Sequence, residues 1–127
     1  MSDPTRVFTF EHIDDTLVVL PNGDLFQHRF EDIRSGYNDA YRILSQDGVD
    51  NLLVDFSEVD HFGSAFIGML IKLSQKARLG GGESVLCNLS PSMIEVLKSL
   101  MLLENVKTDF FMVQYPDRAA ALAALKK

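Results

Sequence analysis

The stretch NLLVDFSEVDHFGSAFIG, Asn51–Gly68, sets the architecture. Its opening, Asn51 to Phe56, is a short continuous apolar run. Such a run fits a strand buried on both faces, at the centre of a sheet covered by helices. The stretch closes inside a helix that begins near Ser64 and runs to about Leu79, where Gly80, Gly81 and Gly82 stop it. Ser64 stands at the junction, wedged between Gly63 and Ala65. It is a reasonable helix cap, its oxygen placed to accept an amide proton from Phe66 or Ile67. A phosphate there would add nearly −2 charge at the positive end of the helix dipole, which tolerates anions. Cap and switch are compatible roles for one hydroxyl.

Working outward, RVFTFEH (residues 6–12) alternates and predicts a short strand, and Thr16 to Pro21 predicts a denser one. Pro21 to Asp24 is a turn. From Phe30 to Ser45 the apolar residues Phe30, Ile33, Tyr37, Ala40, Tyr41 and Leu44 recur at helical spacing, with Gly36 inside and Gln46 to Gly48 closing the helix. Beyond the central stretch, Ser84 to Leu89 predicts a strand. Ser90 and Pro91 open a helix whose apolar face is Met93, Ile94, Leu97, Leu100 and Met101. Asp109 to Val113 predicts a last strand, and PDRAAALAALKK (residues 116–127) a last helix. Strand and helix alternate from about residue 51, which predicts βαβ units and a mostly parallel central sheet. There is no repeat or linker, so residues 1–127 read as one domain, with residues 1–5 a loose polar start.

Composition narrows the function. The chain carries 18 acidic against 12 basic residues, a net charge of −6, and no run of basic residues, which argues against nucleic acid. The single cysteine, Cys87, cannot form an internal disulfide and lies in an apolar run, so it reads as a buried, inert thiol. The N-terminus lacks the apolar core of a signal peptide, and no apolar run approaches the ~20 residues of a membrane span. These features place the protein in the cytoplasm, without membrane insertion.

A search for chemistry returns little. The histidines His12, His28 and His61 are scattered, and no metal-binding spacing occurs; Asp60–His61 reads as a solvated loop pair. The glycine triplet follows a helix, whereas a phosphate cradle precedes one, so it is a turn. Ser64 is not in a nucleophile elbow, and nothing selects a histidine as its base. The sequence thus gives no positive support for an enzyme, a metal or a cofactor. An enzyme on a flavodoxin-like sheet stays open as an alternative. In the helix after Ser64, Ile67, Leu70, Ile71, Ser74 and Ala77 form a core-facing stripe, while Phe66, Met69 and Leu73 widen the apolar arc. The first turn, with Phe66 and Met69, is the part expected to be exposed as a docking patch. Such a patch would also support a homodimer.

The residues Asp55-Phe56-Ser57, Ser64, Ile67-Gly68, Gly81-Gly82 and Asn88-Leu89, in this order, resemble the STAS domain of bacterial anti-sigma factor antagonists, and Asn22-Gly23-Asp24-Leu25 matches an early turn of that family. The resemblance spans nearly the whole chain. It implies a single α/β STAS-like domain, with a central mixed, mostly parallel sheet and about four helices packed mainly on one side. It also implies a non-enzymatic partner switch. The antagonist binds an anti-sigma factor that is also a serine kinase; phosphorylation of the serine at the helix start breaks the complex, and a serine phosphatase restores it. The matching serine is Ser64. The implied partner-binding surface comprises Gly23 and Asp24, the loop residues His61, Phe62 and Gly63, and Ser64, Ala65, Phe66 and Met69. Three positions depart from the family pattern: Gly63 replaces an acid, Ala65 a hydroxyl and Phe66 a glycine. The missing acid removes a negative charge from beside a would-be phosphate, and Phe66 adds bulk that points to a different choice of partner. STAS-like domains also serve transporters, which leaves an accessory or scaffold role without phosphorylation as the alternative.

Overall fold

A computed structural model describes residues 8–22, 30–59, 64–100, 102–103 and 112–125. In chain order the elements are β1 (Phe8–Ile13), β2 (Thr16–Pro21), α1 (Phe30–Leu44), β3 (Asn51–Asp55), α2 (Ser64–Leu79), β4 (Ser84–Cys87), α3 (Pro91–Ser99), β5 (Val113–Tyr115) and α4 (Arg118–Leu125). The strands form one sheet in the order β1-β2-β3-β4-β5. β1 and β2 are an antiparallel hairpin turned at Asp14 and Asp15, with Asp14 in the left-handed region at φ 53°. Every later pairing is parallel. The sheet is therefore mixed and mostly parallel, as the alternation of strand and helix requires.

β3 holds the centre because its sequence can be buried twice. Leu52 and Val54 face one side with residues of α1, α2 and α3, whereas Leu53 faces the other side with Val18, Val85, Cys87 and Ala121 of α4. Each of these leucine and valine side chains contributes roughly 1.5–3 kcal/mol by leaving water. Three helices thus cover one face and the short α4 covers the other. α1 buries Ile33, Ala40 and Leu44. Gly36 within it has a structural reason: the Phe8 ring lies where a side chain at that position would stand. Gly48 closes α1 at φ +85°. α3 opens as its sequence dictates, with Ser90 accepting the Met93 amide proton at 3.3 Å and Pro91 at the first helical position.

Two expectations need correction. The last strand is β5 at Val113–Tyr115, later than Asp109 to Val113; its neighbour Met112 makes only an isolated bridge to Leu103, and residues 109–111 lie outside the described ones. The buried face of α2 is also rotated from the stripe expected of it. Phe66, Met69, Leu70, Leu73, Ser74 and Ala77 are buried, while Ile67 and Ile71 are only half-buried. Two partners turn the helix this way. Phe66 stacks among aromatic rings, and the Ser74 hydroxyl pairs with that of Ser84 at 2.8 Å inside the core.

Candidate functional site

The site is built at the C-terminal ends of β3 and β4, the edge of a parallel sheet where ligands and partners commonly meet a fold. β3 ends in Asp55, which is 3% exposed. A buried carboxylate needs partners on both oxygens. Its Oδ1 accepts from the Ser57 amide at 3.0 Å and from Asn88 Nδ2 at 2.8 Å. Its Oδ2 accepts from Arg118 Nε at 3.0 Å, and the same guanidinium reaches Glu11 at 3.0 Å through Nη1. One carboxylate therefore ties together β3, β4, α4 and, through the arginine, β1. Asn88 takes this position in the left-handed region, at φ 59°, which asparagine tolerates better than most residues.

The clamp fixes how the chain leaves β3. The Ser57 amide is held by Asp55, the Phe56 amide donates to the Cys87 carbonyl at 3.0 Å, and the Val59 amide donates back to the Phe56 carbonyl at 3.1 Å. Phe56 and Val59 are buried, while Ser57 and Glu58 are exposed. α2 then begins at Ser64 itself. No acidic residue stands in its first turn, whereas α1 opens with Glu31 and Asp32. The positive end of α2 thus has no carboxylate in that turn to offset it.

The first turn of α2 does not expose the expected docking patch. Phe66 is 4% and Met69 8% exposed, and both belong to the main core. The Phe66 ring packs edge-on to Phe56 and tilted against Phe8, each at 5.9 Å between centroids. The bulk that looked outward-facing in the sequence fills the space beneath the helix start, and the ground it offered for a homodimer falls with it. Near its start α2 shows beyond the core the half-buried row Ile67, Gly68 and Ile71, one and two turns after Ser64. A side chain at Gly68 would meet nothing within 4 Å. The remaining expected site residues, Gly23, Asp24, His61, Phe62 and Gly63, lie outside the described residues, as do the side chains of Ser64 and Ala65. The proposed Asp60–His61 pair also lies outside them. Among the described residues no group of histidine, cysteine and carboxylate side chains could hold a metal, and no helix is long and apolar enough to cross a membrane.

The site's electrostatics follow from its hydrogen bonds. Burial alone would raise the Asp55 pKa, but the donors Asn88, the Ser57 amide and Arg118 outweigh it and hold the carboxyl below the usual range. Cys87 is pushed up to about 12, first by burial and then by the charge of Asp55, so it is an inert thiol. The folded Asp55 is a stronger acid than the same group unfolded, whose pKa is about 3.9. Its contribution is complete above that value and is lost as pH falls through the folded pKa. The expected result is that chemical-denaturation midpoints fall between about pH 5 and pH 2 in the wild type, and fall less steeply in Asp55→Asn.

Asp55, Ser57 and Asn88 carried the resemblance in the sequence, but nothing there marked them as hydrogen-bond partners. The sequence did not point to Arg118, because a lone arginine beginning an alanine-rich helix has no distinguishing pattern.

The chain belongs to the STAS domain family, whose model matches residues 8–113. Its fold is that of the anti-sigma factor antagonist SpoIIAA in its unphosphorylated form, at TM-score 0.75 and 17% identity, over 94% of this chain and 96% of that one. An anti-sigma-factor antagonist (STAS) domain protein from Planctomyces limnophilus gives TM-score 0.74 and 20% identity, over 94% and 98%. The murine Slc26a9 anion transporter contains a similar unit, at TM-score 0.67 and 16% identity, covering 91% of this chain and 18% of that one. At these identities the likeness is one of fold.

Proposed function

We infer that this STAS domain is a non-catalytic, protein-binding switch of the anti-sigma factor antagonist kind, working in the cytoplasm. Its partner is an anti-sigma factor that is also a serine kinase, and a serine phosphatase reverses the modification. Phosphorylation of Ser64 releases the partner. The observation that carries this reading is the position of Ser64, the first residue of α2, one turn before the half-buried row Ile67, Gly68 and Ile71. A phosphoryl group there meets the positive end of a helix whose first turn holds no carboxylate, so the fold accepts it. A partner seated on the apolar row meets a new double charge. Gly23, Asp24 and the loop residues His61 to Gly63 complete the docking surface in this reading, and Phe66 and Met69 support it from beneath.

The test begins with protein purified from its own cells and a phosphopeptide map. Phosphate on Ser64 is the expected finding. Ser64→Asp is expected to keep the wild-type thermal midpoint and to lose most of its affinity for the kinase partner. Equal affinity of both forms sinks the switch and leaves a constitutive adaptor. Gly68→Ala gives an independent arm. It adds helix propensity of up to about 1 kcal/mol and fills open space, so the domain becomes more stable while a partner pressed on that face binds less well.

A further inference from the structure

A groove between α1 and α2 runs along the second half of α2, beyond Ser64. It encloses about 410 Å³ and is lined by Tyr37, Tyr41, Lys72, Gln75, Lys76 and Leu79, among others. We propose that this groove is a second docking site, and that its occupant is an acidic segment of a partner protein carrying aliphatic residues between its carboxylates.

Charge is the first support. The chain has a net charge of −6, yet α2 carries Lys72, Lys76 and Arg78 and no acidic residue. Among the described residues no carboxylate lines the groove, and neither Lys72 nor Lys76 is ion-paired. Lys76 is instead held with its Nζ 5.2 Å from the centre of the Tyr41 ring, an arrangement that fixes a cation without neutralising it. The other polar groups can donate as well: the Gln75 amide and the two phenols, with Tyr37 kept protonated by its burial and by Tyr41. Two ammonium groups with no carboxylate facing them among the described residues fit an anionic ligand.

Exposed apolar surface is the second support. Four large hydrophobic side chains stand exposed among the described residues, and two of them, Tyr41 at 40% and Leu79 at 88%, line this one groove. An aliphatic side chain between two carboxylates would cover both while its neighbours reach the lysines. The groove is an open trough along two helices, so it suits an extended segment better than an enclosed small molecule. Two lysines offer too few phosphate contacts to hold a nucleic acid against the net charge of the rest of the chain. Along α2, the nearest lining residue, Lys72, stands eight residues beyond Ser64, about 12 Å along the axis. The proposal therefore does not rest on the switch reading.

The experiment is an amide-shift NMR titration of the full, isotope-labelled chain with two blocked synthetic peptides. One alternates glutamate pairs with leucines; the other has lysine at every glutamate position. The acidic peptide is expected to give saturable shifts confined to residues 37–41 and 72–80, and the basic peptide none. Lys72→Glu with Lys76→Glu is expected to weaken binding roughly tenfold or more. Leu79→Ser, which changes a side chain on the surface, is expected to weaken it severalfold. No saturable shift with the acidic peptide, shifts elsewhere on the surface, or affinity indifferent to the charge reversal would overturn the proposal.

Discussion

Arg118→Ala is expected to cost about 3 kcal/mol of folding stability, a fall in thermal midpoint of roughly 10 °C. The change deletes no core volume, so its effect is electrostatic. The Asp55 side chain is 4% exposed, and without the guanidinium its charge keeps only neutral donors, Asn88 and the Ser57 amide. Removing one partner of a buried ion pair is costly because the other cannot return to water. The second bond of Arg118 contributes far less: Glu11 is 44% exposed, and exposed pairs are worth at most about 1 kcal/mol. Urea denaturation should therefore rank Arg118→Ala well below wild type and Glu11→Gln close to it. Equal losses from both variants would show that Arg118 acts by holding α4 to β1, with Asp55 a bystander. A destabilised exit from β3 should also appear as faster amide exchange at Ser57, the first residue beyond the clamp to draw on Asp55.

The second large effect is expected at Gly82, where alanine should cost about 3 kcal/mol or more. A Cβ there would overlap the carbonyl oxygen of Asp50 and come within 3.0 Å of Asn51 Oδ1. Neither can retreat. The Asp50 and Asn51 amides both donate to the Asp15 carbonyl, at 2.9 and 3.0 Å, and Asn51 Oδ1 accepts the Glu83 amide at 2.9 Å. Moving them unseats β3 from β2 and from the approach to β4. The adjacent glycines are there for other reasons. Gly81 adopts φ +90° in open space, so alanine pays only for the left-handed backbone, about 1–2 kcal/mol. Gly80 meets the Lys76 carbonyl at an ordinary 3.5 Å, and alanine there should be close to neutral. Denaturation curves for the three single variants test this gradation directly, and similar losses at all three would refute it.

Much of this architecture was legible in the sequence because the signals were redundant. The continuous apolar run of β3, the Ser90–Pro91 start of α3 and the glycines after α1 and α2 each agree with their flanking periodicity. Where the reading failed, two faces of one element competed. α2 is apolar over so wide an arc that its sequence admits several rotations, and only the tertiary partners of Phe66 and Ser74 choose between them. The end of the sheet was misplaced because Val113–Tyr115 is a short edge strand with a half-buried pattern and no run of β-branched residues. The clamp was only partly legible, because hydrogen bonds spanning 33 and 63 residues, from Asn88 and Arg118 to Asp55, leave no local spacing to detect.

The strand order has a bearing on how the molecule assembles. Each strand pairs with the one made just before it. No strand waits for a later segment to be threaded between itself and its neighbour; the β1–β2 hairpin closes locally, and each parallel ladder closes a crossover of about 30 residues. The sheet can grow in the direction of synthesis, each edge serving as template for the next strand. The exception is Arg118, whose bond to Glu11 closes a circuit of 107 residues. It joins β1 to α4, the first and last of the described elements, so that contact forms only once α4 is in place.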